Sequence, residues 1–186
     1  MAFPAFLDTC VLFPIRLADV LLRLPDYDHS YRPLWSAHVL DELERNLIKK
    51  LDGMTPEKAA RRIHAMRRHF PDAEITGYEG LIPAMRCHEN DRHVLAAAIA
   101  GEAGVIVTFN LKDFPAEALR PYDVEAVAPD KFLLDQLDLY PDATVRAVVQ
   151  AALDRQRPAE SVDHFIGLLG NLVPNFARTV QELLAG

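Results

Sequence analysis

At 186 residues the chain is long enough for one substantial domain or a domain with an appendage, and half of its residues are apolar, enough to form a real core. A net charge of −7 argues against a protein that coats nucleic acid generally, and no apolar run approaches the ~20 residues that span a bilayer. Two cysteines, Cys10 and Cys87, stand outside any C-x-x-C pair or Cys/His cluster, which argues against a structural zinc site.

The N-terminal Met1-Ala2-Phe3-Pro4 carries neither a basic region nor a cleavable signal pattern, so a cytoplasmic protein with reduced, partly buried thiols is expected. A Cys10–Cys87 disulfide stays open at this stage. The charge is unevenly spread. Between Arg45 and His69 there are eight Lys/Arg against the two acids Asp52 and Glu57, and between Asp123 and Asp142 the balance reverses. An acidic protein with one basic stretch can still bind RNA locally.

In chain order, Phe3 to Leu7 is a short apolar run that stops at Asp8 and reads as a buried strand, with Thr9-Cys10-Val11 turning out of it. Arg16 to Leu24 reads as an amphipathic helix, ended by Pro25-Asp26-Tyr27-Asp28. Tyr31 to Trp35 fits a short strand. Ser36 is placed as the N-cap of a helix whose stripe is Val39, Leu40, Leu43, Leu47 and Leu51. Thr55-Pro56-Glu57 opens another helix with Thr55 as cap and Pro56 first, running to about Phe70. Ala73 to Thr76 is a candidate strand. Asp91 to Ala103 is an Ala-rich helix broken by Gly104. Val105 to Phe109 is a β-branched, apolar central strand that ends at Asn110, and Val124 to Val127 is a further strand. Strands alternating with helices predict an α/β domain with a central parallel sheet. From Pro129 the pattern becomes helical, with helices near Lys131–Leu139, Asp142–Arg155, Val162–Leu169 and Asn175–Leu184, separated by Pro141, Pro158 and Pro174. The expected division is a domain over 1–128 and a helical C-terminal extension over 129–186.

Asp8 and Asn110 each end an apolar strand. In a parallel sheet ligands bind outside the carboxyl ends of the strands, so both residues emerge at one edge. Asp91 opens the Ala-rich helix, Asp113 lies three residues past Asn110, and Glu42 lies on the helix begun by Ser36. Carboxylates gathered in one cleft repel one another, and a hard divalent cation is the usual compensation. Such a cation activates water and clamps a phosphodiester, the chemistry of metal-dependent nucleases.

Four segments then resemble the PIN-domain family in order and spacing: Phe6-Leu7-Asp8-Thr9-Cys10-Val11-Leu12, Trp35 to Leu43 with Ser36 six residues before Glu42, Asn90-Asp91-Arg92-His93-Val94-Leu95-Ala96-Ala97-Ala98, and Val107 to Phe114 with Asn110 and Asp113. The resemblance covers roughly 3–128 and implies a PIN-like three-layer α/β fold. It implies an endoribonuclease dependent on Mg2+ or Mn2+, with catalytic residues Asp8, Glu42, Asp91, Asn110 and Asp113, of which Asp8, Asp91 and Asp113 ligate the metal. It also implies a VapC-type toxin of a type II toxin–antitoxin pair, with an RNA substrate, a cognate antitoxin and a homodimer as partners. The tail beginning Pro129-Asp130-Lys131-Phe132-Leu133 resembles an extension found in one VapC-like subgroup. The chain departs from the family at two places. Cys10 stands where Asn is frequent, and Asn110 where Asp is common, which shifts metal electrostatics onto Asp113.

Plainer readings sit beside these. Asp8 alone could bond its own backbone at a strand end, and Asp91 alone could cap a helix. Glu44 lies nearer the apolar stripe than Glu42, and only the Ser36 spacing selects Glu42. Ser36 and Thr108 are cap and strand residues or holders of a metal-bound water. The basic stretch Lys58, Arg61, Arg62, His64, Arg67, Arg68 and His69 is a solvated face or an RNA-binding rim, to which Arg16 and Lys112 could add. His38, His88 and His93 lie near motifs, but a lone His is more often structural. Phe6, Phe109 and Phe114 are assigned to the core. Competing functions are an RNA-processing PIN nuclease outside toxin–antitoxin systems and a non-cleaving RNA- or protein-binding PIN-like module. A phosphotransferase with Asp8 as nucleophile is disfavoured, because Cys10 stands where that chemistry wants a second Asp.

Overall fold

A computed structural model describes residues 2–27, 30–155 and 159–186; Met1, Asp28 and the separator Pro158 lie outside the described residues. The apolar run at the N-terminus forms β1 (Phe3–Leu7), joined by β2 (Tyr31–Ser36), β3 (Glu74–Ile75), β4 (Val105–Val107) and β5 (Glu125–Val127). They make one parallel sheet in the order β3-β2-β1-β4-β5. Successive strand side chains face opposite sides, and Ala5, Phe6 and Leu7 are all fully buried, so β1 is covered on both faces.

The helices are α1 (Thr9–Leu12), α2 (Ile15–Arg23), α3 (Ala37–Lys50), α4 (Pro56–His69), α5 (Arg92–Ala100) and α6 (Ala116–Leu119), then α7 (Pro129–Leu139), α8 (Pro141–Leu153), α9 (Val162–Leu169) and α10 (Pro174–Ala185). Adjacent residues of β2 define the two covering layers. Leu34 meets the end of α5, where a Cβ on Gly101 would stand 2.8 Å from Leu34 Cδ1. Trp35, on the other face, packs edge-on against Phe70 at the end of α4 with ring centroids 5.8 Å apart. Tyr31 shares that face. It packs edge-on against Phe132 of α7 at 5.1 Å and donates its hydroxyl to Leu21 O of α2 at 2.6 Å. The architecture is therefore a three-layer α/β fold with the C-terminal helices added to one side.

Local sequence accounts for the boundaries. Ser36 caps α3 by accepting from Val39 N at 3.3 Å, and Thr55 caps α4 by accepting from Lys58 N at 3.3 Å. Pro141 and Pro174 do not merely separate helices; each occupies a first-turn position of one. The Ala-rich helix is shorter than its composition suggests. A 3-10 turn over Glu89–Asp91 precedes it. It ends at Ala100, since Gly101 is pressed on the sheet and Glu102 turns left-handed at φ 56°. The strand expected to reach Phe109 stops at Val107, because Thr108 is drawn into side-chain bonding. The tail packs on the rest of the chain, with Phe165 and Phe176 fully buried in one continuous core. Among the described residues no helix is long and apolar enough to cross a membrane.

Candidate active site

In this strand order the chain runs outward from β1 in both directions, so β1 and β4 flank the point where the topology switches. That is where an open parallel sheet leaves a crevice at its carboxyl edge. Leu7 is in register with Val107, which puts Asp8 beside Thr108 at that point. Asp8 is 4% exposed. Its Oδ1 accepts from Thr9 N at 2.7 Å, and its Oδ2 accepts from the Thr108 hydroxyl at 2.7 Å and the Cys10 thiol at 3.2 Å. Burial nevertheless pushes the Asp8 carboxyl up, against these donors and with the Glu42 charge adding to the rise. The plain reading of Asp8 holds, since it bonds local backbone through Thr9 N.

Cys10 and Thr108 serve as holders of that carboxylate. Burial, with the Asp8 charge next, pushes the Cys10 thiol up to about 12, so it stays a neutral donor. Its sulfur accepts from Phe109 N at 3.3 Å, and Thr108 Oγ1 accepts from Asn110 N at 3.0 Å. Thr108 and Ser36 are both fully buried, Thr108 engaged by Asp8 and Ser36 by its helix cap. Both cysteines are free.

The remaining acids approach from three elements. Glu42 of α3 accepts the Thr9 hydroxyl at 2.9 Å, and its charge acts on Asp8, whereas Glu44 faces Arg67 of α4. Asp91 precedes α5 but makes no capping bond. Its Oδ2 meets His88 Nδ1 at 3.2 Å instead. Burial first, then the charges of Asp8 and Asp113, raise the Asp91 carboxyl above its ordinary range, with His88 opposing. Asp91 thus lies within reach of the charges of both Asp8 and Asp113, and Glu42 adjoins Asp8. Asn110 is exposed and joins the group through its backbone.

His88 is the residue that sequence reasoning set aside. One of its ring nitrogens and the carboxylates of Asp91 and Asp113 lie within 4.8 Å of one another. The bonds His88 N to Asp113 O at 3.0 Å and Asp91 N to His88 O at 2.9 Å hold the 88–91 turn against Asp113. The only signal was the spacing of His88 three residues before Asp91. His93 behaves differently. It stacks on His38 with centroids 3.7 Å apart, and burial holds it down to about 4, so it is neutral.

Much of the basic stretch is committed internally. Arg62 donates to Leu12 O at 2.5 Å and Phe13 O at 3.4 Å, and burial lowers it to about 10. Arg67 pairs with Glu74, His69 with Asp26, and Lys58 donates to Gly53 O. Arg61, His64 and Arg68 are exposed. Arg16 is held by Glu160 from the C-terminal segment, which keeps that carboxyl below its usual range. Phe6 and Phe114 are core as expected, but Phe109 is 38% exposed, because the chain leaves the sheet before it.

The PIN-domain family model matches residues 4–112, and a second one, the VapC50 C-terminal domain, matches residues 129–182. Over 108 residues the chain is 50% identical to the protein named “Putative ribonuclease VapC50” of Mycobacterium tuberculosis (strain ATCC 25618 / H37Rv). That match spans 58% of this chain and 63% of the relative, short of two thirds of its length. The structure of VapBC-1 from nontypeable Haemophilus influenzae superposes with TM-score 0.48 at 18% identity, covering 68% of this chain and 98% of that chain.

Proposed function

We propose, from the premise that this chain belongs to the PIN-domain family, that it is a divalent-metal-dependent endoribonuclease hydrolysing RNA phosphodiester bonds, the toxin of a type II toxin–antitoxin pair. The observation that supports the reading is the raised Asp91 carboxyl, pushed up by burial and then by the charges of Asp8 and Asp113, beside an Asp8 carboxyl itself pushed up by burial and by Glu42. Such a cluster is costly alone and is relieved by a cation with oxygen ligands. The donor set fits Mg2+ or Mn2+, and Asp8, Asp91 and Asp113 are the residues that would hold it. When bound, the ion supplies an activated water and neutralises phosphodiester charge.

The chain's own residues do the rest. Thr108, Cys10 and the Thr9 amide fix the Asp8 carboxylate from three directions. Glu42, which adjoins Asp8 through Thr9, would accept a proton from the attacking water, and Asn110 would offer a neutral amide. Arg61, Arg68 and Lys112 are exposed cations available to the RNA backbone. The reading extends to a division at 128/129 into PIN domain and helical extension, a cognate antitoxin and a second copy as protein partners, and a cytoplasmic location.

Incubating the protein with a mixed RNA panel in Mg2+ or Mn2+, with EDTA as control, tests the proposal. Cleavage that EDTA abolishes is expected. RNA that is bound yet left intact with either metal contradicts it.

A further inference from the structure

An exposed His–Asp pair three residues apart contributes little to folding, so its geometry can be read for other uses. The His88 side chain is 54% exposed and that of Asp91 is 19% exposed. Their facing atoms, Nδ1 and Oδ2, stand 3.2 Å apart. Neighbouring ligands on one metal, with bonds of roughly 2.0–2.2 Å, stand about 2.8–3.6 Å apart across octahedral and tetrahedral geometries. The pair therefore already has the edge length of a coordination sphere. Asp113 offers a third donor within the same 4.8 Å group.

Resting on the nuclease reading above, we infer that His88 supplies an imidazole nitrogen to the metal, joining Asp8, Asp91 and Asp113 as a ligand. This alters which ion the site selects. Mg2+ takes oxygen ligands in strict octahedral array, whereas first-row transition ions accept imidazole readily. The consequence is discrimination in favour of Mn2+ over Mg2+, carried by one side chain outside the acidic motif residues.

Pulsed electron paramagnetic resonance on the Mn2+-loaded protein reads this without reference to cleavage. Nitrogen-14 modulation from a bound imidazole is expected in the wild type and is expected to vanish in His88→Gln. In parallel titrations, His88→Gln should weaken Mn2+ binding by at least ~10-fold and Mg2+ binding by less than about threefold. Mn2+ bound without nitrogen coupling, coupling that persists in His88→Gln, or equal loss of both metals overturns the inference and leaves the nuclease reading standing. A wild type that binds no Mn2+ overturns both. Since His88 is exposed, His88→Gln is expected to melt within a degree or two of the wild type.

Discussion

The carboxyl edge of the sheet and the helical segment from Pro129 treat charge in opposite ways. At the edge, burial pushes the Asp8 and Asp91 carboxyls up, and neighbouring charges add to it, Glu42 on Asp8 and both Asp8 and Asp113 on Asp91. In the segment, charged and polar groups close local gaps. Asp130 of α7 accepts from the Phe176 amide at 2.8 Å and from the Asn175 side chain at 2.7 Å, satisfying the open start of α10. Arg23 pairs with Asp154, and Arg16 with Glu160. The first region gathers acids at a buried edge, which the proposed nuclease reading assigns to a metal; the second uses charge to fasten helices. Substitutions should therefore separate stability from metal binding according to region.

The largest expected stability effect lies in the helical segment. Phe176 is fully buried, and Phe176→Ala should cost about 3–5 kcal/mol by urea denaturation. Mn2+ affinity of the folded fraction should stay within about twofold, since Phe176 packs in the helical segment beside Asp130 and not among the proposed ligands. A collapse of Mn2+ binding in still-folded protein would erase the distinction between the regions.

Acid sensitivity comes next and belongs to the site side. His93 is held down to about 4, mainly by burial and then by His38, and its Nδ1 is buried without a hydrogen-bond partner. The unfolded chain takes up the proton near 6.5 while the folded chain resists, so stability is lost as pH falls from about 6.5 towards 4, by up to roughly 3 kcal/mol. Asp8 and Asp91 carry the opposite sign. Their raised carboxyls favour the metal-free fold at low pH and disfavour it as pH rises through their folded values. Denaturation of EDTA-treated His93→Phe should show a flatter pH profile between 6.5 and 4 than the wild type. An unchanged profile would assign the acid sensitivity elsewhere.

The smallest effect tests the fastening role directly. Asp130→Ala should lower stability by about 1 kcal/mol, as loss of a helix cap does, and leave Mn2+ binding alone. A gain in stability would mean that Asp130 belongs with the strained acids.

Much of this division was legible in the sequence. The run Phe3–Leu7 ending at an acid, the β-branched run from Val105, and the caps Ser36 and Thr55 are local signals, and the structure keeps them. The four tail helices follow from their apolar stripes and prolines. What stayed hidden depends on contacts distant in sequence. The 3-10 turn at Glu89–Asp91 has no hydrophobic period to reveal it, and that turn brings His88 back over Asp91. The link from His88 to Asp113 spans a helix and a strand. The short helix α1 hides in a segment that reads as a turn, yet its first turn carries the Thr9 that joins Asp8 to Glu42.

The central claim is that Asp8 belongs to a metal-holding nuclease site, and the most direct measurement is single-turnover RNA cleavage by Asp8→Asn across a Mn2+ titration, with thermal melts of the metal-free protein alongside. The substitution is nearly isosteric and removes one charge. Cleavage should fall by more than the ~10–100-fold that losing a hydrogen-bond partner of a metal ligand costs, while the metal-free melting temperature holds or rises as like-charge repulsion is relieved. Wild-type cleavage rates and Mn2+ dependence in Asp8→Asn, with contaminating nuclease excluded, would contradict the placement of the site.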